Sequence, residues 1–373
     1  MNRRLLLIPA VWILLTGCAG HAPAQDISGL TVTGQMPLSY AAEFSVDYCE
    51  NGYAVIRTGT ESHLLVPEGM PVPADNQLPV IQQPVSHIYA ASSAVMDLFD
   101  ALGALDAVEL TSTDLSSWTL PHVQDAMQRG DLTYIGKYST PDYESLLETD
   151  CGLVIENTMI LHAPAVREQI VSLGIPVIVE RSSYEAHPLG RMEWIKLYGL
   201  LLGKTDEAAR FFDEKAAEVQ NLPQSALPEA QRPSAAFFSI TANGSVSIRK
   251  PGDYISQMIG MAGGRYVFCA EDLHVDENAL STMTIQMETF YEIAREADVL
   301  IYNSTIEGKP DSLDALLRKN ALLRDFRAVK EQNVWCTELN TFQQTTGAAD
   351  MIADLNRIFS GQAGELTYLQ KLQ

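Results

Sequence analysis

Short apolar segments alternate with helical segments along most of this chain, and this alternation constrains the fold more than any other feature. Residues 152–156 and 175–179 are apolar runs of strand length. Between them, Pro164 suits a helix start and Gly174 suits a helix end. Strands that alternate with helices form parallel βαβ units, in which helices cover both faces of the sheet. The sequence therefore predicts an α/β fold.

The alternation occurs in two blocks. In the first block, a strand at 85–90 precedes a helix that Gly103 ends. Apolar residues at helical spacing follow the block, with Gly203-Lys204 as a candidate interruption, and strands resume after Pro233. The fold class that we predict is α/β, with two parallel-sheet lobes joined by one long α-helix. The predicted segments are a first lobe at 79–188, the connecting helix at 189–223 and a second lobe at 233–360.

A β-hairpin is predicted before the first lobe, in the region 41–78. Phe44, Val46 and Tyr48 alternate with polar residues, and a second alternating run begins at Tyr53. Between the runs lies Asn51-Gly52, a pair that favours a tight hairpin turn when alternating residues flank it.

The N-terminus has the pattern of a secretory signal. Arg3 and Arg4 precede an apolar run at 5–15, which is shorter than the roughly 20 residues of a membrane-spanning helix. The run leads into Leu15-Thr-Gly-Cys18, which resembles the bacterial lipobox, a signal whose cysteine is lipidated; an ordinary signal peptide with an incidental cysteine is the alternative. We predict a leader at 1–17, then lipidated Cys18 and a flexible tether at 18–40. The predicted location is the exported side of the cell membrane, with the lipid as the only attachment.

Charge and cysteine content narrow the function further. The net charge is −22, and removal of the leader with its two arginines makes it more negative, so neither nucleic acid nor anionic lipid is an expected partner. Four further cysteines have no CxxC spacing, which argues against a zinc knuckle, and the sequence leaves a disulfide among them open. They are Cys49, Cys151, Cys269 and Cys336.

Several fragments, taken in order, resemble the Fe/B12-type (class III) periplasmic binding proteins of ABC importers over residues 80–360. The fragments are Tyr134-Ile-Gly136, Thr140-Pro-Asp-Tyr-Glu-Ser-Leu-Leu147, Asp150-Cys-Gly-Leu-Val-Ile155, Leu173-Gly-Ile-Pro-Val177, Met261-Ala-Gly-Gly264, Met283-Thr-Ile-Gln-Met-Glu288 and Ala297-Asp-Val-Leu-Ile301. Asp150-Cys-Gly152 departs from the Pro-Asp usual in the family. The resemblance implies a ferric siderophore, haem or cobalamin as ligand between the lobes, no intrinsic cofactor, and an ABC permease with its ATPase as partners. We expect a monomer.

The resemblance also implies two docking residues. Glu144 and Glu288 each precede a strand in their own lobe, and in the resembled family a glutamate at each of these positions contacts arginines of the permease. A carboxylate at a helix start is also favoured by the helix dipole alone, and this is the alternative account.

Ligand residues are expected beyond the carboxyl ends of the strands, where open α/β sheets bind ligands. An anionic ferric siderophore would use basic residues, including Arg181 or Arg191, with aromatic residues such as Tyr254. Haem would use an axial Tyr, His or Met. The candidates are Tyr89, Ser92, Ser93, Trp118, Met159, His162, Tyr184, His187, Arg249, Lys250 and Asn303.

Other function classes have less support. The sequence has no GxSxG, no HExxH and no Gly-rich phosphate loop, and we predict that the protein is not an enzyme. A free metal ion would need about three or four clustered ligands, whereas His87, His162, His187 and His274 are scattered, so no metal site is predicted. A ligand sensor without transport stays an alternative. Because one helix joins the lobes, we expect them to move little on binding.

Overall fold

The computed structural model describes residues 29–223, 225–362 and 364–373. The predicted leader at 1–17 and Cys18 lie outside these residues. Within the described ranges the chain forms three sheets, one in an N-terminal region and one in each of two lobes. None of the described helices is both long and apolar enough to cross a bilayer.

The N-terminal sheet contains the predicted hairpin and three further strands. The strands are β1 (Val32–Gln35), β2 (Phe44–Cys49), β3 (Ala54–Thr58), β4 (Glu61–Val66) and β5 (Val80–Gln82). They lie in sequence order, antiparallel except for the parallel pair β4 and β5. The hairpin joins β2 to β3, and Asn51 in its turn has a left-handed φ of 59°, as the Asn-Gly pattern predicts.

The flexible tether predicted through residue 40 is wrong from Val32 onward. Residues 32–35 are a strand, and the chain after it is held by two buried carboxylates. Glu193 accepts hydrogen bonds from the backbone N–H groups of Ser39, Tyr40 and Ala41 at 2.7–3.0 Å. Glu185 accepts those of the next two residues, 42 and 43, at 2.9–3.1 Å. The composition is typical of a linker, but long-range acceptors order the segment.

The first lobe has the predicted parallel sheet. Its strands are β6 (Ile88–Ala90), β7 (Val108–Thr111), β8 (Thr133–Tyr134), β9 (Leu153–Asn157) and β10 (Val177–Glu180), in the order β10-β9-β6-β7-β8. Its helices are α1 (Met96–Ala101), α2 (Pro121–Arg129), α3 (Tyr143–Glu148) and α4 (Pro164–Ser172). Because all of these strand pairs are parallel, their carboxyl ends meet at one edge of the sheet.

The connection between the lobes is helical, as predicted, but it is not one continuous helix. It consists of α5 (Pro188–Glu193), α6 (Ile195–Leu201) and α7 (Thr205–Gln220). The break before α7 falls at the Gly203-Lys204 pair, where Gly203 has a φ of 68°. There α7 folds back onto α6, and a Cβ on Gly199 would lie only 2.4 Å from that of Ala208.

The second lobe has a mixed sheet. Its strands are β11 (Ser234–Ile240), β12 (Val246–Arg249), β13 (Arg265–Tyr266), β14 (Thr282–Ile285), β15 (Val299–Tyr302), β16 (Val334–Thr337) and β17 (Leu369–Lys371). The pairs of β11 with β13 and β15, and of β15 with β16, are parallel, while β12, β14 and β17 are antiparallel additions. The lobe therefore extends past the predicted limit at residue 360. Its helices are α8 (Tyr254–Met261), α9 (Ala270–Leu273), α10 (Met287–Ala294), α11 (Ser304–Glu307), α12 (Leu313–Lys319), α13 (Arg327–Lys330) and α14 (Ala348–Phe359).

One apolar core runs through both lobes. It contains Leu98 of the first lobe, Trp194 of the connection, Phe237 of the second lobe and Ile352 of α14, all buried. The four cysteines of the described residues are free thiols, and only Cys269 is exposed. Because the lobes share packed side chains, they behave as parts of one body more than as independent domains.

Candidate ligand-binding cleft

A cavity of about 440 Å³ lies at the carboxyl ends of the first-lobe strands. This volume falls within the range of small-molecule sites, which is about 300–1,000 Å³. Its walls are rich in hydroxyl groups and carry two cationic side chains. The lining residues are Ala91, Ser92, Ser93, Ala94, Ser112, Thr113, Lys137, Tyr138, Asn157, Thr158, Met159, Glu180, Ser182, Ser183 and Arg191.

The base of this cavity holds a buried carboxylate. Glu180 ends β10, and its Oε1 accepts a hydrogen bond from the backbone N–H of Ser182 at 2.8 Å. The hydroxyl of Ser92 donates to Oε2 at 3.3 Å. Burial raises the pKa of the Glu180 carboxyl, while the bonds from Ser182 and the nearby Arg191 guanidinium lower it. An acidic group therefore lies beside the basic one in the cleft.

The second lobe faces the cleft with cationic and aromatic groups. The guanidinium carbon of Arg191, on α5, lies 4.0 Å from the ring centre of Tyr254 at the start of α8. The guanidinium carbon of Arg249 lies 5.6 Å from the same ring and 4.9 Å from that of Phe342. One Arg249 nitrogen is 3.5 Å from Asp253. Two arginines thus converge on one tyrosine at distances typical of cation–π contacts.

Arg191 connects the two sides of the cleft. It lines the first-lobe cavity and also a small cavity of about 30 Å³ beside Tyr254, Met258 and Phe342. Within the described ranges its guanidinium has neither a hydrogen bond nor an ion pair within 4 Å. Its five N–H donors are therefore available to a ligand anion.

Three predicted ligand residues line the first-lobe cavity, and a fourth lies beside the second-lobe wall. Ser92, Ser93 and Met159 are cavity residues, and Met159 is half exposed. Arg249 packs against Tyr254, as described above.

The structure corrects two predicted ligand residues. Tyr89 is fully buried in β6, where it belongs to an apolar cluster with Leu110 and Val154, and it does not line the cavity. Trp118 is also buried in the apolar core, and its indole N–H donates to the carbonyl of Thr113 at 3.1 Å.

Five other predicted residues line neither cavity. His187 caps α5, because its Nδ1 accepts from the N–H of Leu189 at 3.1 Å. Asn303 caps α11 in the same way, accepting from the N–H of Thr305 at 3.1 Å. The remaining three are exposed or half-buried in the turns that follow their strands: His162, Tyr184 and Lys250.

Sequence reasoning missed most of the polar cavity wall. Ser112 and Thr113 follow β7, Lys137 and Tyr138 follow β8, and Asn157 ends β9. The rule that ligands bind beyond the carboxyl ends of strands selects the first four at β7 and β8, and Asn157 at the end of β9. The rule does not select Arg191, which reaches the cleft from a connecting helix and was expected only as a basic residue suited to an anionic siderophore.

The two predicted docking residues occupy equivalent positions. Glu144 is the second residue of α3, and Glu288 is the second residue of α10. Both side chains are exposed, and neither forms an ion pair within the described part of the chain. Each is therefore accessible to a partner. As for free metal ions, the described residues include no group of three or more His, Cys, Asp or Glu side chains suited to hold one.

Comparison with known proteins agrees with the architecture. The chain resembles the periplasmic haem-binding protein HutB of Vibrio cholerae, with a TM-score of 0.57 and 18% identity over 72% of this chain and 97% of that protein. It also resembles an ABC-type Fe³⁺-hydroxamate transport system protein of Saccharomonospora viridis, with a TM-score of 0.54 and 20% identity over 74% and 93% of the two chains. At this identity the likeness shows the fold alone.

Sequence relatives extend over the N-terminal sheet as well. An uncharacterized lipoprotein of Methanocaldococcus jannaschii is 22% identical, covering 97% of this chain and 94% of its own length. A second uncharacterized lipoprotein of that organism is 23% identical over 78% and 74% of the two chains. The family model described as periplasmic binding protein matches residues 88–338, which span both lobes and the cleft. The chain therefore belongs to the periplasmic binding protein family of the Fe/B12 type.

Proposed function

We propose that this protein is the solute-binding lipoprotein of an ABC importer, and that its ligand is an anionic iron chelate of the ferric siderophore type. The observation that carries the proposal is the position of Arg191, an unpaired guanidinium shared by both walls of the cleft. In this account the chelate is captured between the lobes and delivered to a permease and its ATPase.

Electrostatics supports an anionic ligand. The protein as a whole carries a net charge of −22, so its long-range field repels anions. Against that background, Lys137 and Arg191 lie in the first-lobe cavity with Glu180 as its one acidic residue, and Arg249 lies behind Tyr254. In the first-lobe cavity two cationic side chains therefore face one described carboxylate, and a ligand anion meets a local positive charge there.

The polar wall supports an oxygen-rich chelate. Catecholate, hydroxamate and carboxylate groups present many acceptor oxygens, and the hydroxyls of Ser93, Thr113 and Ser183 line one cavity without donating to another described residue. Phe342 on the other wall is half-buried and offers aromatic surface to the flat parts of such a ligand.

Haem binding is the second candidate. Structural neighbours described as haem-binding proteins favour it, as does Met159, a half-exposed possible axial ligand on the cavity wall. Against it, the axial candidates Tyr89, His162 and His187 do not line the cavity, which leaves Met159 and Tyr138. Siderophore-type chelates therefore fit more of the wall than haem does.

Attachment to the membrane is proposed through a lipid on Cys18. The Leu-Thr-Gly-Cys sequence and the relatives described as lipoproteins support this assignment. Labelling cells with a radioactive fatty acid tests it: the wild type should incorporate the label, and Cys18→Ala should not. Label on the Cys18→Ala protein would contradict the assignment.

Equilibrium titration tests the ligand class. Intrinsic tryptophan fluorescence of the full chain in detergent would be followed against an anionic ferric tricatecholate, a cationic ferric trihydroxamate of similar size, haemin and cobalamin. We expect saturable, submicromolar binding of the anionic chelate and at least tenfold weaker binding of the cationic one. Preference for haemin would select the second candidate. No response to any of the four would contradict both.

A further inference from the structure

Residues 341–347 form a strap between the lobes. The strap leaves the carboxyl end of β16 in the second lobe and leads into α14. Its strongest contact with the first lobe is Asp97 of α1, whose Oδ2 accepts hydrogen bonds from the backbone N–H of Thr346 at 2.7 Å and from its hydroxyl at 2.6 Å. One buried carboxylate oxygen thus receives two donors from the other lobe.

Two more strap residues reach the first lobe. The hydroxyl of Thr345 donates to the carbonyl of Ala94 at 2.9 Å. Gln343 accepts from the backbone N–H and hydroxyl of Thr119 at 2.8 and 2.6 Å, and its amide donates to the carbonyl of Ser117 at 2.8 Å. The strap is therefore attached at three points along the first lobe.

The strap also carries part of the cleft. Phe342 follows the first strap residue, and its ring centre lies 4.9 Å from the guanidinium carbon of Arg249. Thr341, Phe342 and Thr345 line the small cavity that they share with Arg191 and Tyr254. Thr346, which binds Asp97, and Phe342, which packs against Arg249, are thus close together in the sequence.

We propose that residues 341–347 are a latch between the lobes, that the hydrogen bonds from Thr346 to Asp97 keep it attached to the first lobe, and that loss of these bonds widens the range of lobe spacings. Through Phe342, Asp97 is also a positioning residue for ligand binding. This second part rests on the proposed function, while the latch itself does not.

The physical basis is the cost of opening. Separation of the lobes at the strap would break both hydrogen bonds to the Asp97 carboxylate, and bonds to a charged acceptor are stronger than those between neutral groups. The same opening would split the apolar core that runs through both lobes. A hinge motion needs a few residues that absorb large changes in φ and ψ, and here the strap and the core both resist it.

Electron–electron distance measurement on spin-labelled full-length protein in detergent tests the latch without any ligand. Labels would be placed at Leu161→Cys in the first lobe and Ile306→Cys in the second, both exposed positions, with Cys18 and Cys269 changed to serine. The comparison is between the unaltered background and three changes: Asp97→Ala, Asp97→Asn, which keeps an acceptor oxygen, and Thr346→Val, which keeps one of the two donors. Asp100→Ala, on the same helix but bonded to His122 of the first lobe, is the matched control.

We expect one narrow distance distribution for the background, and the same for Asp97→Asn and Asp100→Ala. Asp97→Ala should at least double the width, and Thr346→Val should give a smaller increase. An unchanged width in both Asp97→Ala and Thr346→Val, or equal broadening by Asp100→Ala, would overturn the latch. If Asp97→Ala fails to fold, the width of the distance distribution in Thr346→Val alone tests the latch.

Ligand affinity separates the two parts of the proposal. Asp97→Ala should weaken binding of the anionic chelate roughly tenfold, equivalent to about 1.4 kcal/mol, with Asp97→Asn restoring most of it. Binding that is unaffected while the distances broaden would reject the positioning role and keep the latch. If the wild type binds no chelate, the proposed function fails and the distance result still stands.

Discussion

The two lobes repeat one structural unit and then differ inside it. Residues 144–157 and 288–303 each begin with an exposed glutamate in the first turn of a helix and continue into a central strand. Each ends in an asparagine that caps the next helical turn, since Asn157 accepts from the N–H of Met159 at 2.8 Å and Asn303 from that of Thr305 at 3.1 Å. The backbone frame is therefore shared.

The residue before each asparagine shows how far the lobes have diverged. The first lobe has Glu156 there, fully buried and with no hydrogen-bond partner among the described residues. The second lobe has Tyr302, packed against Phe238 in an apolar core. Burial raises the pKa of Glu156 to about 8. The repeated frame thus tolerates a carboxyl group in one lobe where the other has an aromatic ring.

The walls of the cleft differ in the same way. The first lobe provides hydroxyls, a carboxylate and Lys137, while the second provides Tyr254, Arg249 and Phe342, with Arg191 between them. Under the proposed function, we expect the arginines to contribute most to binding of ligand charge and the first-lobe hydroxyls to bind individual ligand oxygens.

Removal of the Arg191 charge should have the largest effect. We expect Arg191→Gln to weaken binding of the anionic chelate about 100-fold, because loss of a partly desolvated charge contact costs roughly 2–5 kcal/mol. The matched control is Arg295→Gln, since Arg295 also lies over a tyrosine, 5.6 Å from the ring centre of Tyr291, but at the opposite end of β15. Ligand titration of both variants is the measurement. An equal loss of affinity in the two would refute the assignment of Arg191 as a ligand contact.

Glu156 should give the next effect, and it is pH-dependent. Its pKa rises from 4.5 to about 8 on folding, so its stabilising proton is fully bound below pH 4.5 and is lost as the pH rises towards 8. Glu156→Gln resembles the protonated form. We therefore expect it to match the wild type at pH 4.5 and to be more stable at pH 8, by on the order of 2 kcal/mol.

Denaturant unfolding at the two pH values checks this, with Tyr302→Phe as the control from the other lobe. The pKa of Tyr302 is raised to about 12, so its removal should give no pH-dependent change between 4.5 and 8. An equal advantage of Glu156→Gln at both pH values would show that the carboxyl group does not ionise in this range.

The docking residues should give an intermediate and symmetrical effect. We expect Glu144→Ala and Glu288→Ala each to lower ligand uptake about tenfold in proteoliposomes that hold the cognate permease and ATPase, because a charge contact at an interface rim mainly affects association. Ligand affinity should not change. The controls are Glu148→Ala and Glu292→Ala, exposed residues on the same two helices. Lower uptake with either control variant, or with only one of the two docking variants, would contradict an equal contribution of the two glutamates to docking.

The hydroxyl wall should give the smallest effect. Ser93→Ala is expected to weaken chelate binding about threefold, since one neutral hydrogen bond contributes about 0.5–1.5 kcal/mol. Ser183→Ala, at the same cavity, should behave alike. A loss as large as that of Arg191→Gln would show that the first lobe, and not the second, dominates recognition.

The strands and helices of each lobe were predictable because residues close together in the sequence determine them. Strand β9 lies within one residue of its predicted position, since a short β-branched run bounded by turn residues determines it. The interruption at Gly203 was also visible as a glycine. The order imposed on residues 39–43 was not, because it depends on Glu185 and Glu193, about 150 positions away in the sequence.

The cleft was predictable only in part, for a physical reason. The strand-end rule gave Ser92 and Met159, but it also selected Tyr89, which lies inside its strand and is fully buried. The pairing of Arg191 with Tyr254 needs the relative placement of a connecting helix and the second lobe. The spacing of residues along the sequence does not predict such a placement.

Anomalous diffraction at the iron edge, from crystals grown with the anionic ferric chelate, would locate the bound ligand in the protein. We expect a single strong iron peak between the first-lobe cavity and Tyr254, with chelate oxygens in hydrogen-bond contact with Arg191. A peak elsewhere would contradict it, for example in the groove of about 500 Å³ between the N-terminal sheet and α4, beside His63 and Arg167.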